Sequence, residues 1–198
     1  MNKPTLIVFV LAGAVVVLLA GCQAVRAGYE SAPYLVVRTD AKFELRDYAT
    51  LTVVETPMNE GGSSSDGSFM RLFRFISGAN EAQQKIAMTT PVFISSGGTN
   101  TTMAFVLPAT FQSGGAPAPT NQLVTLGQLA AGRFAVMQFS GGRNACNEAE
   151  SLHRLKTWMT PQGLSVLSPP LYAYFDPPWT PTFLRRNEVM LHTDADKP

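Results

Sequence analysis

Residues Tyr172 to Leu191, YAYFDPPWTPTFLRRNEVML, constrain the fold more than any other stretch of this 198-residue chain. The run holds three prolines, five aromatic residues, two adjacent arginines and one glutamate. Leu171 to Phe175 is aromatic and apolar and reads as a strand. Asp176-Pro177-Pro178 ends it, because proline fixes φ and offers no N–H to a sheet. Trp179 to Phe183 is then a stiff extended loop, with Thr180 kept out of helix by the proline after it. Arg185 to His192 resumes as a final strand, on which Arg186 and Glu188 share a face and Arg185 points the other way.

Two further stretches belong with it. Phe75 to Ile94, FISGANEAQQKIAMTTPVFI, combines a glycine–asparagine turn, a lysine and an IAMT-x-PV strand. Phe43-Glu44-Leu45-Arg46-Asp47-Tyr48 leads into Val53-Val54-Glu55-Thr56. Together these motifs resemble the SOUL haem-binding protein family, over roughly Tyr34 to His192. The resemblance implies a distorted antiparallel eight-stranded barrel flanked by two helices. It also implies non-covalent binding of haem or a related tetrapyrrole.

The first residues read as a leader. Lys3 precedes Leu6 to Ala20, an apolar run broken only by Gly13. It is shorter than the ~20 residues of a transmembrane helix and suits a secretory signal. Leu19-Ala20-Gly21-Cys22 looks like a bacterial lipobox, with cleavage before a lipidated Cys22. The other reading is an ordinary signal peptide cut later, near Ala27. The lipobox divides the chain into a signal peptide over 1–21, a tether over 22–33 and one domain over 34–198. It places the protein in the cell envelope, with the membrane as partner through Cys22. Gln23 favours the periplasmic face of the outer membrane if the cell is Gram-negative. Cys146 is then the remaining cysteine, so no internal disulfide is available. It reads as a small buried hydrophobe near a helix start, or as a haem thiolate.

Removing residues 1–21 takes away Lys3 alone among charged side chains, so basic and acidic residues balance. Without a basic run the chain lacks the footprint of a nucleic-acid binder. Charged residues make up 15% against a usual ~25%, which leaves apolar material for a core and for a ligand cleft.

Along the chain, Tyr34 to Arg38, Phe43 to Tyr48 and Leu51 to Thr56 read as strands, and Pro57 to Gly67 as a flexible loop. Phe69, Leu72, Phe73 and Ile76 recur at helical spacing, and Gly78 stops that helix. Lys85 to Ile94 and Thr102 to Leu107 form a hairpin. Gln112 to Asn121 reads as a linker. Gln122 to Leu129 and Arg133 to Phe139 are strands, Asn144 to Met159 an amphipathic helix, and Leu164 to Phe175 and Arg185 to His192 the last strands. The two pseudo-repeats, about 34–111 and 122–192, make this an α+β chain built from a duplicated ββαββ unit.

Catalytic patterns are absent: there is no His-x-x-x-His, Cys-x-x-Cys or Gly-x-Ser-x-Gly. A haem site needs an apolar slot and cations for two propionates, with an axial ligand optional. Phe69, Met70, Phe73, Met88, Met137 and Phe139 are candidates for the slot, near the first helix or its neighbouring strands, and Lys85 and Arg143 for the propionates. Each also reads as core or as solvated charge. His153 and His192 are weak iron ligands. His153 falls on the polar side of its helix, opposite Leu152, Leu155 and Met159, and His192 shares a strand face with Met190 and Glu188. Glu188 reads as part of a framework with Arg186 and Asn187. Fold similarity of the family to small hydrolases with a pocket glutamate gives Glu188 an alternative role as a base. The expected function is burial of haem in an apolar groove beside the first helix, for storage, transfer or scavenging. The alternatives are a small hydrolase or tetrapyrrole-modifying enzyme using Glu188, and a scaffold lipoprotein holding another hydrophobic ligand.

Overall fold

The computed structural model describes residues 28–58, 66–97 and 100–194. The signal peptide, Cys22 and most of the loop over 57–67 lie outside the described residues. The strands are β1 (Glu30–Ser31), β2 (Leu35–Asp40), β3 (Phe43–Tyr48), β4 (Leu51–Met58), β5 (Thr89–Thr90), β6 (Val92–Gly97), β7 (Asn100–Val106), β8 (Thr125–Leu129), β9 (Gly132–Phe139), β10 (Leu171–Tyr174) and β11 (Asn187–Thr193). The helices are α1 (Ser68–Ile76) and α2 (Ala145–Met159).

Nine strands form one antiparallel sheet in the order β2-β3-β9-β11-β10-β6-β7-β4-β8, and β1 pairs with β5 in a separate parallel ribbon. Apart from β2, the order reads symmetrically about the β10–β6 pair. Each ββαββ unit contributes three strands to its own half, and its first strand, β3 or β8, crosses to the other half. The eight-stranded barrel is corrected to an open sheet: β2 and β8 are edges and do not pair with each other.

Strand alternation sorts the core into two faces. The inner face carries Tyr48, Val53, Phe93, Val106, Phe134, Val136, Ala173 and Met190, which pack across both halves. The outer face is covered by the helices. Leu72, Phe75 and Ile76 of α1 pack on Val54, Ile94, Met103 and Phe105. Leu155 and Met159 of α2 pack on Leu45, Ala135, Met137, Val189 and Leu191.

Local chemistry sets the helix ends. Asp66 Oδ1 accepts from Ser68 N at 2.8 Å at the start of α1, and Arg71 Nε donates to Thr56 Oγ1 at 2.9 Å, tying α1 to β4. Gly78 has φ 113°, which only glycine adopts freely, and this turns the chain away after α1. Buried Asn80 holds that turn: Nδ2 donates to the carbonyls of Phe75 and Gln84, and Oδ1 accepts from Gln84 N. At α2, Asn144 Oδ1 caps Asn147 N at 2.9 Å.

Several boundaries differ from the sequence reading. The tether does not run to residue 33: β1 lies within the fold, and Ala32 is buried with its N–H on Thr90 O at 2.9 Å. The strand expected from Leu164 shrinks to β10, because Pro169 and Pro170 remove ladder donors just before it. The stretch from Lys85 contributes strand only at β5 and β6. Gln112 to Asn121 is pinned rather than free: Gln112 bonds Thr52 N and Leu107 O, and Ala118 O accepts from Glu81 N. Cys146 is exposed, not buried, in the first turn of α2.

Candidate functional site

Two places gather residues with functional chemistry, one on each face of the sheet. The first is the outer side of α1. Helical spacing turns Leu72, Phe75 and Ile76 into the core and leaves Met70 and Phe73 outward, 47% and 41% exposed. Phe69 is half-buried between them and the sheet. Its ring stacks on Phe73 at 6.0 Å and meets Phe105 edge-on at 5.3 Å. Met88 is half-buried against the same cluster. Arg74 stands one turn after Met70 and is exposed, as is Lys85 beyond the Asn80 turn. Five of the expected haem contacts, Phe69, Met70, Phe73, Met88 and Lys85, therefore fall on or close to α1.

The other three do not join them. Met137 and Phe139 are fully enclosed beneath α2, among Leu155, Met159 and Tyr172. Strand β9 belongs to the second half of the sheet, and its outward residues meet α2 rather than α1. Arg143 lies before α2, 3.5 Å from Glu148 and over the Tyr174 ring. The expected groove beside α1 is an exposed strip rather than a slot. Cavities of about 30 and 80 Å³ lie elsewhere, under β1 and against Val53, Phe93 and Leu171. Both are far below the several hundred Å³ that enclose a small ligand. Among the described residues, the side chains fit a macrocycle resting on an open apolar face, and neither cavity could enclose one.

The second place is the inner face at Glu188. Sheet alternation brings Glu44, Arg46 and Tyr48 of β3 and Glu188 of β11 to one side. Arg46 donates Nη1 to Glu188 Oε2 at 2.7 Å and Nη2 to Oε1 at 3.0 Å. Arg186 donates Nε and Nη2 to the same Oε1 at 3.0 and 2.6 Å. Glu44 Oε2 accepts from Arg46 Nε at 2.6 Å. The ring of Tyr34 lies 4.2 Å from the Arg46 guanidinium, and that of Phe175 4.3 Å from Arg186. Burial would lower the Arg46 pKa, but its hydrogen bonds to Glu188 and the attraction of that carboxylate raise it overall. The carboxylate is wholly buried and engaged by two guanidiniums, which is the geometry of a framework and not of a base awaiting a substrate proton. Arg185 and Asn187 complete it: Arg185 Nε donates to Thr180 O at 2.8 Å, and Asn187 Nδ2 to Gly141 O at 2.9 Å.

The two histidines join neither place as a ligand pair. His153 is exposed on α2. His192 is on the inner face, edge-on to Phe134 at 5.2 Å. Among the described residues no group of three or more His, Cys, Asp or Glu is placed to hold a metal ion. Sequence reasoning missed Arg46 as the partner of Glu188. The signal was the polar alternation Glu44, Arg46, Tyr48 opposite apolar Phe43 and Leu45, which marks a strand with chemistry on its inner side.

Solved structures share this fold. The EcmrR C-terminal domain is 11% identical, with TM-score 0.57, over 81% of this chain and 98% of that one. A hydrolase from Listeria innocua is 8% identical, with TM-score 0.59, over 80% of this chain and 94% of that one. An uncharacterized conserved protein from Listeria innocua is 11% identical, with TM-score 0.58, over 77% and 92%. At such identities the likeness is one of fold alone. A comparison with curated protein sequences gave no match. The model of the SOUL heme-binding protein family matches residues 29–192, and the chain therefore belongs to that family.

Proposed function

We propose that this protein binds haem or a related tetrapyrrole on the open apolar strip of α1, at the cell envelope, for storage, transfer or scavenging. The observation that carries the reading is the exposure of Met70 and Phe73 side by side on α1 of a SOUL-family chain. Clustered apolar side chains left in water by an otherwise well-packed helix are a contact surface. Phe69 backs the strip, and its stacking fixes the Phe73 ring in place. Arg74 and Lys85 are exposed cations near its margin, suited to carboxylates. Bound haem would supply the macrocycle and its iron; the chain supplies apolar contact and charge. An open site of this kind suits a carrier, because release needs no opening of a closed pocket. Lipidation at Cys22 would hold the carrier at the membrane.

The test is a haemin titration of the purified protein, followed by its Soret band, beside a Met70→Ser/Phe73→Ser variant. A saturable spectral change is expected for the natural chain. Loss of the apolar contacts weakens binding on the order of tenfold per residue, with the thermal midpoint unchanged. Absence of any saturable change overturns the reading and leaves the strip to another hydrophobic ligand.

A further inference from the structure

The loop between β10 and β11 holds two aromatic side chains out in water. Trp179 is 76% exposed and Phe183 72%. The backbone prevents them from folding back. Arg185 donates Nε to Thr180 O and Nη2 to Pro178 O. Thr180 N donates to Pro177 O at 3.0 Å, and Leu184 N to Pro181 O at 2.9 Å. Asp176 Oδ2 accepts from Arg186 N at 2.6 Å. Gly141 N donates to Thr182 O at 3.0 Å, which fastens the loop to the turn before α2. The loop is thus rigid, with much of its backbone hydrogen-bonded internally and its apolar tips free.

The N-terminal strand meets the same end of the sheet. Ser31 pairs with Thr90. Val92, two residues on, pairs with Tyr174, from which the loop departs. Tyr34 Oη lies 3.5 Å from Arg186 Nη2. Tyr29, itself exposed, stands at the head of that strand. From Cys22 to Gly28 the extended chain reaches at most about 20 Å. A lipid on Cys22 would keep this end of the domain close to the bilayer.

We propose that the Trp179–Phe183 loop is a membrane-interface contact, entering the headgroup layer of the bilayer that carries the Cys22 anchor. The proposal rests on reading Cys22 as lipidated. Tryptophan and tyrosine favour that layer, where one end of the ring is apolar and the other wet. Internal hydrogen bonding lowers the cost of bringing the loop's backbone there. Between Pro177 and Asn187 the only charged side chains are Arg185 and Arg186, and the carboxylate at the loop's start, Asp176, is engaged by Arg186 N. The contact would fix the orientation of the domain on the membrane, where lipid attachment alone leaves it free to swivel.

The experiment uses the full chain purified from membranes with its native N-terminus, placed in phosphatidylcholine vesicles with brominated acyl chains. Subtracting the emission of Trp179→Phe isolates Trp179 from Trp158. Trp179 emission is expected to shift to the blue and to be quenched by bromine. A Phe183→Trp reporter in the Trp179→Phe background should be quenched in the same way. Equal access of aqueous iodide to Trp179 with and without vesicles overturns the proposal. So does protection that requires envelope proteins rather than lipid, which would make the loop a protein-docking site. The mass of the N-terminal peptide reports the anchor separately. A lipidated Cys22 with unquenched Trp179 defeats the contact alone; an unmodified Cys22 with quenched Trp179 defeats the anchor alone and upholds the contact.

Discussion

Arg46 and Glu188, 142 residues apart in the chain, meet in a two-pronged ion pair in which their side chains are 3% and 0% exposed. The pair joins β3 to β11 across β9, and so ties the crossed-over strand of the first unit to the last strand of the second. Glu188 has a second partner in Arg186, whereas Glu188 and Glu44 are the carboxylates on Arg46. The two halves of the pair are unequal because the fully buried Glu188 carries two guanidiniums, whereas the second carboxylate on Arg46 is part-exposed. Glu188→Leu leaves buried Arg46 with the part-exposed Glu44 alone and strips Arg186 of its carboxylate as well, and is expected to cost about 3–5 kcal/mol. Arg46→Met leaves Glu188 held by Arg186 and costs less. The double variant Arg46→Met/Glu188→Leu regains part of the loss, because both buried charges go together. Urea denaturation of the four proteins measures the coupling. Equal losses from the two single changes would refute the inequality.

Buried Tyr48 and Tyr172 and half-buried Tyr174 set the alkaline limit. Burial pushes Tyr48 up to about 12, against the opposing pull of Arg46, and pushes Tyr172 up to about 12 with help from Glu148. Tyr174 is raised further, first by burial and then by its hydrogen bond to Glu148 Oε1. Each phenol keeps its proton in the folded state at a pH where the unfolded chain has lost it. Stability is therefore fully present below pH 10.0, the unfolded value, and falls as pH rises through the folded value near 12. Tyrosinate absorbance and the unfolding midpoint, followed together, are expected to move in the same window. Tyr48→Phe removes its share of that slope.

The sheet was legible because its strands are short, alternating and punctuated by proline and glycine, and the duplicated ββαββ unit accounts for eight of its nine members. Closure was not legible: it depends on whether β2 and β8 meet, which no local pattern reports. The apolar cast of α1 was also readable, since Leu72 and Ile76 recur at the same spacing as Phe69 and Phe73. What separated Met137 and Phe139 from α1 was the place of β9 in the half covered by α2, a tertiary fact with no counterpart in residue type. The Arg186–Glu188 pairing followed from strand alternation two residues apart, whereas Arg46 required knowledge of which strand lies beyond β9. Ala32 was hidden for a different reason. The short N-terminal strand looks like a tether in sequence, and only pairing with β5 brings it into the core.

The histidines offer a test of how haem would be held. His153 points to solvent from α2, and His192 packs on Phe134 at the inner face, so neither stands beside Met70 and Phe73. His153→Ala and His192→Ala are each expected to leave the haemin affinity and the Soret position of the bound form unchanged. His153→Ala should also be neutral in stability, within about 0.5 kcal/mol, as for exposed positions in general. A lost or shifted Soret band in either variant would move the site away from α1.

His192 has a structural duty that a single methyl group exposes. A Cβ built on Gly132 would stand 2.2 Å from His192 Nε2 and 2.7 Å from Cδ2. Gly132 has no positive φ, so the conflict is one of space and not of backbone conformation. Relief requires the imidazole to swing off Phe134, its edge-on neighbour at 5.2 Å. Gly132→Ala is therefore expected to destabilise by about 1–3 kcal/mol, in the range of other overpacked sites. In a His192→Ala background the same methyl meets no ring, and the cost of Gly132→Ala should largely vanish. Thermal unfolding of the single and double variants checks both halves of the cycle. A Gly132→Ala penalty that persists without the imidazole would locate the strain in β9 itself rather than in the contact with His192.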